Sequence, residues 1–373
     1  MLNLSNFDDY QRRAINFQVA NPRSFLWLFM GAGKTAITLT TIAHLQKHGV
    51  IRAALIVGPL RVIQSVWENE ARKWEHTRHL RFSTLHGSRD IIAAGLYKPA
   101  DVYLINYEGL ETLSMFCQQY FTNRGTLLPF DMLVLDESSK VKNPEAKRVQ
   151  SLLPILSYFN YRTGLTGSPA PNGLIDLFGQ FFVVDDGQRL GYSLDSYKAA
   201  YFRSGGYGGY QYEPSAEAER AIHAAVSDIV LEMSQEDHIK LPDFIVNDVR
   251  VTLPPKARKQ YDQMENLFWA ELDEGGVIEV TSPIASINNL LQIACGAISP
   301  NPETREWAKS HDAKLDAVED IIEEAAGNPI LLGYSFRSDA ERIKKRFKYA
   351  VDVTPMTGAE FNQAIHDFQQ GRI

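Results

Sequence analysis

Short apolar runs of strand length organise the first half of the chain, at Phe25 to Met30, Ala53 to Val57, Phe82 to Leu85, Val102 to Ile105, Met132 to Leu135 and Tyr161 to Leu165. Between several of them apolar residues recur at helical spacing, as in Ala36 to Leu45 and Val62 to Trp74. Unbroken apolar runs, rather than alternating ones, predict strands buried on both faces. An α/β fold with a doubly wound parallel sheet under two helical layers provides such burial. In that arrangement ligands sit outside the strands' carboxyl ends, so chemistry is expected in the residues that follow each run.

The pattern changes after Val184. Asp185-Asp186-Gly187 interrupts it, and Ser204 to Tyr212 is a glycine-tyrosine tract that reads as a mobile loop. A helical region is expected over Ala216 to Glu232, a strand at Phe244 to Thr252 and a helix from Pro255 to Glu271, with proline in its first turn. Beyond His311 the spacing predicts helices at Lys314 to Ala325, Ser338 to Phe347 and Glu360 to Gln369, with strands at Ile330 to Tyr334 and Ala350 to Val353. The organisation read from this is a first lobe over 1–184, a linker and helical insertion over 185–310, and the start of a second lobe over 311–373. Two strands are too few to complete a second doubly wound sheet.

Charge and composition change this picture little. The 373 residues are 45% hydrophobic and carry a net charge of −7. Up to Gln180 there are 19 basic against 14 acidic residues, and beyond it 19 against 31. The first half is therefore basic, and an acidic total does not exclude binding to a phosphate backbone. No apolar run approaches the roughly 20 residues of a membrane span, and Met1 to Tyr10 lacks a secretory signal, so a cytoplasmic protein is expected. Cys117 and Cys295 stand alone without metal-spaced companions; both are expected in the core, with no zinc site.

The residues after the runs carry the chemistry. Gly31-Ala32-Gly33-Lys34-Thr35 follows the first run and opens a helix. A strand turning through glycines into a helix offers unpaired N–H groups to a phosphate, with Lys34 and Thr35 reaching the terminal phosphates and Mg²⁺. Leu28 stands where the strict phosphate-loop pattern has its first glycine. Met132 to Leu135 ends in Asp136-Glu137, which beside such a cradle suits a Mg²⁺-holding acid and a base that orients attacking water. Alone, the pair reads as a solvated turn. Gln11 fits the edge of an adenine through its amide, and fits equally the third helical position of a capping box begun by Asp8. Leu165 to Asn172 is a strand end whose hydroxyls could bridge the acid pair to a phosphate.

Taken in order, these segments resemble the Swi/Snf-type ATPases of the superfamily-two helicases, phage and bacterial forms included. Met30 to Thr35 looks like the family's nucleotide motif, in which the early glycine is also absent. Leu55 to Leu60 with Trp67-Glu68-Asn69-Glu70 and Lys73-Trp74, His86-Gly87, Asn106-Tyr107-Glu108, and Asp136 to Pro144 follow in the family's order. Leu165 to Asn172 resembles its coupling motif, carried by Thr166, Gly167 and Ser168. Ile330 to Arg337 and Thr357-Gly358 with Ala364-Ile365 and Phe368 resemble the opening of a second RecA-like lobe. The resemblance implies a motor that hydrolyses ATP with Mg²⁺ and shifts along duplex DNA. It places the nucleotide at Gln11, Met30, Gly31, Ala32, Gly33, Lys34 and Thr35, the metal at Thr35 and Asp136, and catalysis at Lys34, Asp136 and Glu137. DNA contacts are expected from Pro59, Leu60, Arg61, Asn106, Tyr107, Lys140 and Lys142.

Two departures qualify the implied motor. Ser138 and Ser139 replace the family's Ala and His after the acid pair, which puts the usual link between hydrolysis and strand movement in question. The family's last motifs, with the arginine fingers, would lie beyond Ile373; a truncated form that binds nucleotide but turns it over slowly is expected. Two alternatives remain: a nucleotide-gated DNA-binding module, and the motor subunit of a restriction system with a nuclease or methyltransferase partner. Arg342 to Lys348 invites a nucleic-acid reading, but a solvated helix face is the expected one.

Overall fold

The computed structural model describes residues 1–121, 123, 125–205, 211–234, 246–267, 269–271, 277–279, 283–299, 306–325 and 327–372. The chain divides into two compact units, Met1–Leu241 and Pro242–Ile373.

In the first unit, α1 (Asp9–Ala20), β1 (Arg23–Leu28), α2 (Lys34–Lys47) and β2 (Ala54–Gly58) come first. They are followed by α3 (Leu60–Ser65), α4 (Trp67–Lys73), β3 (Phe82–Thr84), α5 (Arg89–Tyr97), β4 (Val102–Asn106) and α6 (Leu110–Tyr120). Then come β5 (Met132–Asp136), α7 (Lys147–Leu156), β6 (Tyr161–Thr166), α8 (Leu177–Asp185) and α9 (Leu194–Tyr201). The hairpin β7 (Phe202–Gly205) and β8 (Gln211–Pro214), α10 (Ala216–Val226) and β9 (Val230–Met233) complete the unit.

Seven strands form one sheet in the order β3-β4-β2-β5-β6-β1-β9. Every pairing in it is parallel. The six apolar runs are its first six strands, and their alternate residues serve opposite faces. Phe25, Trp27, Leu55, Val57, Ile105, Leu133 and Leu135 enter one buried cluster. Leu26, Leu28, Ala54, Ile56, Leu104, Met132 and Val134 enter the other. Helices cover both faces, so side chains on either side of each strand leave water and the run has no polar alternation.

Three elements differ from the sequence reading. Val62 to Trp74 is two helices, α3 and α4, that meet at Val66. The helix from Ala216 stops at Val226, and Val230–Met233 pairs beside β1 as an edge strand instead. The outer edge of β1 needs backbone partners, and Phe25 N–H takes one in the Ile229 carbonyl at 2.7 Å. The first unit therefore continues past Val184. In the glycine-tyrosine tract Ser204 and Gly205 pair with Tyr212 and Gln211 as the hairpin β7–β8, where a loop was expected; Gly206 to Tyr210 lie outside the described residues.

The second unit holds α11 (Pro255–Leu267), β10 (Trp269–Glu271), β11 (Val277–Glu279), α12 (Pro283–Cys295), β12 (Ala297–Ile298), β13 (Ala308–Lys309), α13 (Ala313–Glu324), α14 (Arg337–Arg346) and α15 (Gly358–Gln369). Met264, Ile293 and Ile298 form its buried centre. The helix expected to reach Glu271 ends at Leu267, and Trp269–Glu271 turns back as a strand. The strands expected at Ile330 to Tyr334 and Ala350 to Val353 are not formed, and neither is one over 246–252; Phe244 and Ile245 lie outside the described residues. The 330 and 350 segments meet through side chains, the Tyr334 hydroxyl bonding Thr354 Oγ1 at 2.6 Å. Ile321, Leu332, Ile343, Phe347, Val353 and Phe368 line an open apolar cavity of about 830 Å³ beside them.

Three of the five cations in the basic run Arg342 to Lys348 are engaged within the chain, while Lys345 and Lys348 are exposed. Arg342 is 5% exposed and donates to the carbonyls of Cys295 and His311 and to Asp312. Arg346 pairs with Asp316 and Glu319, and Lys344 with Asp352. Cys117 is buried as expected, whereas Cys295 is only half-buried.

In the first unit α8 packs backbone against backbone on the turn after β5. A methyl group at Gly179 would lie 2.3 Å from the Lys142 carbonyl oxygen and 2.5 Å from that of Val141. Because backbone cannot swing aside, Gly179→Ala is expected to destabilise the chain by about 1–3 kcal/mol. Urea unfolding with an unchanged m-value measures this.

Candidate active site at the carboxyl edge of the sheet

The parallel registers bring three strand ends level. Leu26 of β1 lies opposite Leu165 of β6, and Leu165 lies opposite Asp136 of β5. With strands about 4.8 Å apart, β1 and β5 stand about 10 Å apart across β6, so the turn after β1 and the acid pair lie on one edge.

After Leu28 the chain turns through Gly31 and Gly33, both at φ 82°, and Gly33 caps α2 in the left-handed region. That conformation aims the first N–H groups of α2 outward, and glycine adopts it at little cost. A side chain at Gly33 would also strike Gln11 Nε2, at 2.6 Å. Lys34 folds back over the turn, its ammonium donating to the Leu28 carbonyl at 2.8 Å and the Phe29 carbonyl at 3.1 Å. Burial pulls its pKa below the usual lysine value, against the fields of Glu137 and Asp136 that raise it. Lys34 and the acid pair therefore share one electrostatic site. Thr35 is half-buried in the first turn of α2, Ala32 is buried and Met30 is 85% exposed.

Gln11 makes the capping box, its Oε1 accepting from the Asp8 N–H at 3.0 Å. Its Nε2 donates to the Ala32 carbonyl at 3.1 Å, beside a second donor to the same carbonyl, the Tyr10 hydroxyl at 3.2 Å. Both ends of the amide are thus used within the chain, one of them on the phosphate turn.

At the end of β5, Asp136 is 8% exposed. Its Oδ2 accepts from the indole N–H of Trp67, a fully buried residue of α4, at 3.0 Å. Desolvation pushes the Asp136 carboxyl up to about 6; Glu137 adds to the rise, while Trp67 and Lys34 oppose it. Glu137 takes the left-handed conformation, φ 57° and ψ 59°, which is unusual for a residue with a Cβ and is found at functional turns. Tyr107 holds this turn from beneath, its hydroxyl donating to the Asp136 carbonyl at 2.8 Å and the Glu137 carbonyl at 3.3 Å. A cradle of outward N–H groups, a lysine resting on carbonyls, a helix-start hydroxyl at Thr35 and a desolvated carboxylate together fit a phosphate chain with a divalent cation.

The coupling segment adjoins both halves. A Cβ on Gly167 would come within 3.4 Å of the Leu28 carbonyl. The hydroxyl of Thr166 accepts from the Ser168 N–H at 3.0 Å and reaches Glu137 Oε2 at only 3.5 Å.

The residues expected at DNA follow β2, β4 and β5, three neighbouring strands, so they gather along the same edge. Their side chains differ in what they offer. Leu60, Arg61 and Lys140 are exposed, with Pro59 half-buried at the start of α3. Asn106 is 7% exposed and donates to Glu108 at 2.6 Å. Tyr107 is enclosed, so its ring is no contact surface. Lys142 pairs with Asp176 at 3.0 Å. Tyr107 is braced under the acid pair and Lys142 in an internal ion pair, so either would have to leave its present partner to meet DNA. Sequence reasoning gave Trp67 no role beside Asp136; a tryptophan buried from an otherwise polar helix needs a partner for its N–H, which is the signal that could have found it.

Because burial holds the Asp136 carboxyl above its ordinary 3.8, the folded chain binds the proton more tightly than the unfolded one, and the charged form costs stability above pH 6. Asp136→Asn keeps an acceptor for Trp67 and is expected to stabilise the chain at pH 8 by on the order of 3 kcal/mol. The gain should shrink as pH falls through 6 and vanish near 4, and Trp67→Phe, which removes a lowering contact, should move that midpoint upward. Denaturant unfolding across pH measures both.

Residues 10–295 match the SNF2-related domain family. Protein p41 of Acyrthosiphon pisum secondary endosymbiont phage 1 is 36% identical over 365 residues, covering 95% of this chain and 77% of that protein. The human DNA repair and recombination protein RAD54B is 30% identical over 181 residues, 46% of this chain and 18% of its own length. Helicase swr1 of Emericella nidulans is 31% identical over 170 residues, 43% of this chain and 9% of its own. The chain thus spans less than a fifth of these two relatives. In fold it is similar to the Sulfolobus solfataricus SWI2/SNF2 ATPase core solved in complex with dsDNA, with a TM-score of 0.52 at 22% identity over 98% of this chain and 75% of that one. The sheet of the first unit is RecA-like, and the chain belongs to the SNF2-related family.

Proposed function

We propose that this chain is the core of a DNA-dependent ATPase that moves along duplex DNA. The observation that carries the reading is the shared edge: a glycine turn, its lysine and an acid pair whose Asp136 is desolvated lie at the ends of β1 and β5. Phosphate oxygens would replace the Leu28 and Phe29 carbonyls as partners of the Lys34 ammonium. Thr35 and Asp136 are the residues that would hold Mg²⁺, which when bound neutralises charge on the transferred phosphoryl group. Glu137, fixed by its backbone conformation, would orient a water and take its proton. Gln11 would read the adenine edge only by giving up its present partners.

Duplex DNA is the favoured activator because Leu60, Arg61 and Lys140 lie exposed on the edge that carries the acid pair, where a bound phosphate backbone would adjoin the site. A nucleotide-gated binding module without turnover is the reading this must displace.

Two arms test it. Mg²⁺-dependent ATP hydrolysis is expected to rise on adding duplex DNA, with Glu137→Gln lowering the stimulated rate about 10²–10⁴-fold while nucleotide still binds. Lys34→Ala should lose both binding and turnover. Hydrolysis indifferent to duplex, single-stranded DNA and RNA alike would remove the motor reading, and binding without any turnover would favour the module.

A further inference from the structure

The acid-bearing turn and the Thr166–Asn172 loop are joined at a residue with no role so far, Gln180 of α8. Its Oε1 accepts from the Ser138 hydroxyl at 2.7 Å, and its Nε2 donates to the Pro169 carbonyl at 2.6 Å and the Asp176 carbonyl at 3.0 Å. Gln180 and Ser138 are both fully buried. One turn earlier, the Asp176 carboxylate accepts from Lys142 Nζ at 3.0 Å and from the Asn172 N–H at 2.9 Å. Ser138 and Lys142 follow the acid pair on its turn, while Pro169 and Asn172 belong to the coupling loop. Two side chains four residues apart, Asp176 at the N-cap of α8 and Gln180 within it, thus clamp turn to loop at two points.

The direct route is weak by comparison. Thr166 and Glu137 stand 3.5 Å apart, beyond the roughly 2.5–3.0 Å of a sound O–H···O bond. Ser138 and Ser139 stand where the resembled family usually has Ala and then His. A buried amide with its carbonyl and both donors engaged resists displacement, because moving either partner leaves polar groups unpaired. The backbone contact at Gly179 leaves α8 no slack against the turn.

We propose that Gln180, with Ser138, is the positioning residue that makes the acid turn and the coupling loop move as one body, linking nucleotide state to DNA. This rests on the ATP and DNA reading above.

The test measures the affinity of the whole chain for a fluorescent, non-hydrolysable ATP analogue with Mg²⁺, with and without a DNA duplex. In the parent chain the duplex should shift that affinity roughly fivefold or more, the usual size of a site-to-site coupling. In Gln180→Met the affinity without DNA should stay within about twofold of the parent, and the duplex effect should fall below about twofold. A residue needed only for packing would not separate those two readings. Ser138→Ala should act in the same direction, and the double variant should lose no more than either single one. Gln180→Met that keeps the parent's nucleotide affinity and its full duplex effect overturns the proposal. If that variant fails to fold, Ser138→Ala, which removes one hydroxyl, decides alone: an undiminished duplex effect overturns the proposal, a lost one supports it. A parent chain that shows no duplex effect overturns the DNA reading itself, and the linkage with it.

Discussion

The arrangement depends on a carboxylate kept out of water at the end of β5. Asp136 has little solvent, and it retains its charge near neutrality through what the fold places around it: an indole N–H from α4 and an ammonium from the start of α2. The two come from different helices, the first acting through a hydrogen bond and the second through its charge. A buried charge is costly unless its partners are fixed, so the elements that carry the partners are fixed with it. Parallel pairing of β1, β6 and β5 sets the level at which the groups meet.

The same constraint explains why several polar residues of this edge face inward. Tyr107 supports the carbonyls of Asp136 and Glu137, and Lys142 serves Asp176. Residue types that suggest a phosphate backbone thus brace the turn that carries the acids. A strained Glu137 persists because neighbours over-determine it: a hydroxyl below it, Ser138 bound to Gln180 behind it, and a helix packed without side chains at Gly179.

Legibility in the sequence followed the kind of force involved. Strands buried on both faces announce themselves by unbroken apolar runs, so six of the seven strands of the main sheet were readable. The seventh, Val230–Met233, was read as helix because its four residues are decided by the unpaired edge of β1, a partner far away in sequence. Ile330 to Tyr334 failed the opposite way, apolar enough for a strand but with no backbone partner in the described residues. In the site, Gly33, Lys34, Asp136 and Glu137 were legible because local spacing specifies a turn and a strand end. Trp67 and Gln180 were not, since their importance lies in a partner 69 and 42 residues distant. Gln11 was readable two ways, and the capping box is the one formed here.

That last residue has a consequence for selectivity. Its amide already completes a helix start and fastens itself to the turn after β1. If Gln11 reads a purine as proposed, that base would have to displace both contacts, and its arrival would loosen the first turn of α1 from the glycine loop. Pyrimidine nucleotides or bare triphosphate, which lack that edge, would leave the latch shut.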